Sequence, residues 1–176
     1  MIVLDNSVLS AFKRLEVLGL LRQLFGDVMI TPGVLDEFSR RWGREALPRW
    51  VRIGELDESM LREAEALKLG RGEAESIVLA QRLGCLLAID DEKARSVAKD
   101  KGIPVIGSVG ILRLAYEHCP IETRQELEEL LTRLSEDLYL EEWLIEWALS
   151  AEKVRAIHII SGFRPESTMK DGIEDV

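Results

Sequence analysis

The residues of this chain best suited to chemistry are acids placed just after short apolar runs. Asp5 follows I-V-L, and Asp90 and Asp91 follow L-L-A-I. Apolar runs of that length are expected to be buried strands of a parallel sheet, and in open parallel sheets sites gather at the carboxyl ends of the strands. A single strand-end Asp is an ordinary helix cap or turn former. Two strand ends with the same chemistry ask for more. Glu73 sharpens the pattern. At 100° per residue it shares a helix face with Ile77, Ala80 and Gly84, so it is expected to point inward. An inward Glu at a helix start has two readings: helix-dipole stabilisation, worth ~0.3–1 kcal/mol, or a carboxylate directed at a metal. Glu75 falls on the other side of that helix, toward Arg82, and is expected to be solvated. Glu37 lies beside Val34 and Phe38 and would by itself be an unremarkable helix-surface Glu.

Other chemistries fit less well. His118 and His158 are the two histidines, which leaves a His-rich zinc site without ligands. No Gly-rich phosphate loop opens a helix after the first apolar run. An aspartate-nucleophile phosphatase would want a second Asp two residues after Asp5, where Ser7 stands. A phospho-acceptor receiver domain also uses strand-end acids, but it gives no reason for an inward Glu73.

The elements that must position these acids alternate. Strands are expected at Met1 to Leu4, Asp27 to Ile30, Leu86 to Ile89 and Pro104 to Ile106, with 48–54 irregular or a short extended piece. Helices are expected between them. Ser7 is read as the cap of a helix over about 8–15. Thr31 followed by Pro32 is read as the start of another. Gly70 and Gly72 are read as the end of a helix bearing Met60, Leu61, Ala64 and Leu67. A helix over 73–83 stops at Gly84, one after Asp91 closes at Gly102, and Ser108 is read as the cap of the next. The predicted class is α/β, a three-layer α/β/α arrangement around a central mostly parallel sheet, plus C-terminal helices. Leu127, Leu130, Leu131, Leu134 and Leu138 mark one such helix, and Leu140, Trp143, Leu144 and Trp147 a second. One domain over 1–154 is expected, its core about 1–115, with 155–176 a polar tail.

Bulk properties agree with a soluble domain. The chain has 176 residues, 47% hydrophobic and 31% charged, long enough to bury a core. No apolar run approaches the ~20 residues of a membrane span. The start carries no basic leader, and Cys85 and Cys119 fit no metal or redox spacing, so a cytoplasmic protein with reduced thiols is expected. The formal net charge of −9 argues against a broad phosphate-binding surface. It is compatible with a carboxylate site whose charge divalent cations offset. Nucleic-acid contact would then rest on a few local bases such as Lys13, Arg14, Arg40, Arg41, Lys93 and Arg95.

Four motifs in order carry a resemblance. The opening M-I-V-L-D-N-S-V-L-S resembles the start of PIN domains. I-T-P-G-V-L-D-E resembles their second acidic motif, G-R-G-E-A-E-S-I-V-L-A the third, and L-L-A-I-D-D-E-K-A-R-S-V-A the last. The likeness covers about residues 1–115. It implies a divalent-metal-dependent nuclease, in which Asp5, Glu37, Glu73 and Asp91 bind metal and act in catalysis, with Asp90 a further ligand or a cap. Crowded carboxylates cannot all ionise without countercharge, and hard cations with oxygen ligands supply it, so Mg²⁺ or Mn²⁺ is expected. Ser7, Lys93 and Arg95 are assigned to substrate, with Ser7 orienting Asp5 or a phosphate. The implied substrate is single-stranded RNA and the implied reaction endoribonuclease cleavage. The closest likeness is to predicted nucleic-acid-binding proteins with a G-E-x-E helix. Toxin ribonucleases of toxin–antitoxin pairs, with an antitoxin partner, are related but more often show Asp where Glu73 stands. The alternative is a non-catalytic RNA-binding or regulatory module. The tryptophan stripe around 140–148 predicts a homodimer.

Overall fold

The computed structural model describes residues 1–118, 120–136, 138 and 140–154. Cys119, His158 and the expected tail lie outside the described residues. In chain order the elements are β1 (Ile2–Leu4), α1 (Asn6–Arg14), α2 (Leu18–Phe25), β2 (Val28–Ile30), α3 (Pro32–Trp42), β3 (Val51–Ile53), α4 (Glu58–Ala66), α5 (Arg71–Leu83), β4 (Leu86–Ala88), α6 (Glu92–Asp100), β5 (Val105–Ile106), α7 (Ser108–Glu117), α8 (Arg124–Ser135) and α9 (Glu142–Leu149). The strands form one sheet in the order β3-β2-β1-β4-β5, and every pairing is parallel. A parallel pair needs a crossover, and helices between the strands provide it.

Side-chain alternation along the short strands divides the core into two layers. Ile2 and Leu4 of β1, Val28 and Ile30 of β2, and Ile106 of β5 face a large-residue layer with Phe12, Leu21, Phe38, Leu112 and Leu131. Val3, Leu87 and Val105 face the other side, where α4, α5 and α6 contribute Ala64, Ala74, Ala80, Ala94 and Ala98. The result is three layers, α/β/α. Small residues let α5 lie close to the sheet, which brings the acids on its first turn near the strand ends. Among the described residues no helix is long and apolar enough to cross a membrane.

Several boundaries differ from the sequence reading, each for a local reason. The stretch 48–54 contains β3, paired in register with β2 (Val28 with Val51, Ile30 with Ile53). It is an edge strand in which Val51 alone is buried, and Ile53 is 41% exposed, so no apolar run announces it. Ser7 is not a helix cap. Asp5 caps α1 instead, because the backbone turns into helix directly from the strand end. Gly70 and Gly72 do not end α4, which stops at Ala66. Gly70 is the N-cap of α5, and the intervening turn passes through Lys68 at φ 54°. Ser108 does not cap α7, whose N-cap is Gly107, and its hydroxyl goes elsewhere. The Thr31 cap, Pro32 at the first turn and the left-handed Gly84 stop are as the sequence reads.

Candidate functional site

Asp5 ends β1 at the middle of the sheet. Its backbone N–H donates to the Ala88 carbonyl at 2.9 Å, which joins the ends of β1 and β4. Its side chain is 3% exposed. Oδ2 accepts from the Ser7 N–H at 3.0 Å and the Ser7 hydroxyl at 2.7 Å. Oδ1 is buried and has no hydrogen-bond partner among the described residues. A buried carboxylate oxygen with nothing to accept from is costly, and such groups in native proteins call for an explanation. Ser7 therefore holds one oxygen of Asp5 and not the other.

The end of β4 adds a second pair of acids. Asp91 is exposed and caps α6, its Oδ1 accepting from the Ala94 N–H at 2.8 Å. Asp90 is held by Ser108, whose N–H donates to Oδ1 at 2.7 Å and whose hydroxyl donates to Oδ2 at 2.6 Å. Burial raises the Asp90 carboxyl. The Ser108 bonds and Arg95 pull it back, and Asp5 pushes it further up. The Arg95 guanidinium donates from Nη1 to the Ile89 carbonyl at 3.1 Å, while its Nη2 is buried without a partner among the described residues. Burial lowers the Arg95 guanidinium from its ordinary value, against the pull of Asp90. Lys93 is exposed and donates to the Lys68 carbonyl at 3.4 Å.

Glu37 and Glu73 come from helices that cross near these strand ends. Glu37 on α3 accepts from the Gly72 N–H at 3.3 Å. Glu73 reaches back to the Gly70 N–H at 3.0 Å, half of a capping box. Both are half-buried, and burial is the largest reason their carboxyls are raised above the usual range. The repulsion that adds to burial identifies the neighbours. Asp5 and Glu75 raise Glu37, while Asp5, Asp91 and Glu37 raise Glu73. Asp5, Glu37, Glu73, Asp90 and Asp91 are thus linked through one electrostatic field. Among the described residues, however, no group of three or more His, Cys, Asp or Glu is arranged to hold a metal ion. Each carboxylate is turned to a backbone N–H or a serine instead. The donor set is all oxygen and one buried oxygen is orphaned, which suits a hard divalent cation.

Glu75 departs most from expectation. It is not solvated: it is 1% exposed, because α5 is buried on nearly all sides from Gly72 to Ala80. Arg82 pairs with Glu63 at 3.8 Å, not with Glu75. Glu75 Oε2 accepts from the Gly33 N–H at 2.7 Å and Oε1 from Arg71 Nε at 2.7 Å; Arg71 Nη1 continues to Asp36 at 2.8 Å. Gly33 belongs to the first turn of α3 and Gly72 to that of α5. Each helix therefore satisfies an otherwise partnerless first-turn N–H of the other, through Glu75 in one direction and Glu37 in the other. A Cβ at Gly33 would stand 2.8 Å from Glu75 Oε2, and one at Gly72 would stand 2.9 Å from Glu37 Oε1, so a side chain at either position would displace a glutamate. Arg71 and Gly33 were not picked out by sequence, and Glu75 and Ser108 were given other roles there. The small and apolar run from Ser76 to Ala80 was the available signal that both faces of α5 are covered.

Comparison with known families and proteins accords with this geometry. No curated protein is similar enough to the chain to count as a relative. A family model described as a PIN domain matches residues 1–153. PIN domains are generally nucleases and typically use divalent metals. The parallel five-stranded sheet between helical layers agrees with that match, and the chain belongs to the PIN-domain family.

Proposed function

We propose that the protein is a divalent-metal-dependent endoribonuclease acting on single-stranded RNA. The observation that carries this is the buried, unpartnered Oδ1 of Asp5, in the field of Glu37, Glu73 and Asp90. Asp5, Glu37, Glu73 and Asp91 would hold Mg²⁺ or Mn²⁺, with Asp90 as a neighbour. When bound, the cation supplies charge neutralisation and Lewis-acid activation of water. The chain's own part is positioning. Ser7 fixes Asp5, Ser108 fixes Asp90, and the α3–α5 crossing sets Glu37 against Glu73. Ionised carboxylates at this edge repel a phosphodiester until cation charge is present, so cleavage is expected to need added metal. Lys93 and Arg95 flank Asp91 on α6. Lys93 is exposed and suits a phosphate, while Arg95 sits against Asp90 and steadies that carboxylate.

The test is cleavage of a mixed RNA population with Mn²⁺, with and without Asp5→Asn. Metal-dependent cleavage lost in the variant supports the reading. RNA binding without cleavage by the wild-type chain would favour the second reading, a non-catalytic RNA-binding module, which the turning of each carboxylate to a backbone N–H supports. Cleavage of single-stranded DNA in preference to RNA would correct the substrate.

A toxin of a toxin–antitoxin pair is the narrower form of this proposal. A short neighbouring reading frame whose product blocks cleavage would establish it. A cytoplasmic location goes with the buried free thiol of Cys85. A homodimer is proposed through α9, where Trp143 is 51% exposed. Trp147 is instead occupied within the chain, with the Arg113 guanidinium 4.2 Å from its ring centroid. Light scattering at micromolar concentration, with Trp143→Ala as the variant, checks this; a monomer unaffected by the change ends it.

A further inference from the structure

A cavity of about 600 Å³ lies away from the acids, lined by Lys13, Arg14, Glu16, Leu18, Gly19 and Trp42. Its size is in the range of small-ligand sites. Lys13, Arg14 and an indole line it together with one carboxylate, Glu16. Arg133 adds a third cation nearby, its Nη2 donating to the Arg14 carbonyl at 3.3 Å. An aromatic ring beside cations is the arrangement that holds an unpaired nucleotide, with the base on the ring and the phosphate on the charge.

Trp42 is held in place for such a role. Its Nε1 donates to the Ser10 hydroxyl at 3.3 Å, and that hydroxyl donates to Asn6 Oδ1 at 3.1 Å. Phe38 backs the ring at 6.5 Å between centroids, and the Arg41 guanidinium lies 5.1 Å from the ring centroid. The indole remains half-buried and lines the cavity. Gly19 stands in the first turn of α2, and a Cβ there would meet nothing within 4 Å. The cavity is open above it.

The topology connects this cavity to the acids. Helix α1 starts at the Asp5 cap and carries Lys13 and Arg14 at its end. Helix α3 carries Glu37 and ends at Trp42. At 1.5 Å per residue the cavity lies about 12 Å along α1 from Asp5 and about 7.5 Å along α3 from Glu37. We propose that this cavity is a nucleotide subsite, in which Trp42 stacks a base of single-stranded RNA and Lys13 holds its phosphate while the chain's acids face a phosphodiester further along the same strand. The choice of ligand rests on the nuclease reading above. The site also answers a physical need of that reading, because an acidic edge alone repels the substrate it must hold.

Binding can be measured apart from cleavage, by fluorescence anisotropy of a labelled oligouridylate with full-length Asp5→Asn protein in chelator. Trp42→Ala in that background should weaken binding about tenfold, within the 1–3 kcal/mol that one stacked base contributes. Gly19→Phe, which places a ring at the cavity wall away from Ser10, Phe38 and Arg41, should also weaken it and guards against a Trp42 variant that fails to fold. Lys13→Gln should weaken binding and reduce the dependence of log K on log salt by about 0.7. Equal affinity across all three variants overturns the subsite, as does equal binding of an abasic sugar–phosphate oligomer, or no binding by the Asp5→Asn parent. Wild-type cleavage in Mn²⁺ alongside any of those results would leave the nuclease reading standing. Stacking-dependent binding without cleavage would remove the nuclease reading and keep the subsite.

Discussion

Glu73 and Glu75 stand two residues apart on the same helix and meet opposite fates. Glu75 is buried and fully compensated. Arg71 lies against one oxygen and the Gly33 N–H against the other, and Asp36 completes the network. Glu73 is only half-buried, yet it has a single backbone donor and three acids that raise its carboxyl. The same contrast divides the two regions they belong to. At the α3–α5 crossing, charge is paired and helix ends are satisfied reciprocally. At the strand ends, carboxylates repel one another and an oxygen of Asp5 is left without a partner. Crossings of the first kind give a frame its rigidity. Clusters of the second kind hold unspent electrostatic energy that a cation could relieve, and perturbed carboxyls gather where a protein has chemistry to perform.

The contrast predicts that changes at the strand ends act on activity and changes at the crossing act on stability. The largest expected effect is on cleavage. Asp5→Asn should reduce it by more than the roughly 10–100-fold that outer-shell changes cost, measured as initial rate in saturating Mn²⁺. Asn still caps a helix well, so the melting temperature without metal should stay level or rise. Unfolding of that variant would put Asp5 in the frame instead.

At the crossing the order reverses. Arg71→Met removes the cation from a buried Glu75 and should destabilise by about 3 kcal/mol in urea denaturation. Glu75→Gln keeps an acceptor for the Gly33 N–H and should cost less, about 1–2 kcal/mol. If both changes leave stability untouched, the crossing is not the brace described here.

Gly33→Ala and Gly72→Ala compare the two regions directly, since the added methyl groups would crowd Glu75 and Glu37 respectively. Gly33→Ala should lower stability by about 1–3 kcal/mol, the range for overpacking. Gly72→Ala displaces a less buried side chain, so its stability loss should be smaller. Its main effect should be on the concentration of Mn²⁺ needed for half-maximal thermal protection. Equal effects of the two on both measurements would erase the distinction.

The smallest effect is a pH dependence. Glu37, Glu73 and Asp90 have carboxyls raised on folding, so just above the usual carboxylate range the folded chain binds more protons than the unfolded one. Stability from this source is present at low pH and is lost as pH rises through the raised values. The melting temperature of the metal-free protein should therefore increase modestly as pH falls from neutral toward that range. Glu37→Gln should flatten the rise. Thermal protection by Mn²⁺ should shrink over the same interval, because protons compete for the ligands. A metal-free protein that loses stability steadily from neutral pH downward would contradict the crowding of acids.

The amino-acid order alone determined a good deal. Apolar runs closed by acids, Thr-Pro and glycine punctuation, and 3.6-residue spacing pointed to alternating strands and helices, a parallel sheet and acids at its carboxyl edge. These are local signals, carried by residues within one turn or one strand of each other. Where the reading failed, the deciding contact was distant in sequence. The burial of Glu75 depends on Gly33, forty-two residues away. The hydroxyl of Ser108 turns to Asp90 across eighteen residues and not to its own helix. β3 is a strand because β2 offers it an edge, not because its side chains are apolar. A helical wheel counts one buried face. Only packing from several sides reveals that α5 has more than one, and only then does a carboxylate that looked solvated become the most enclosed one among the described residues.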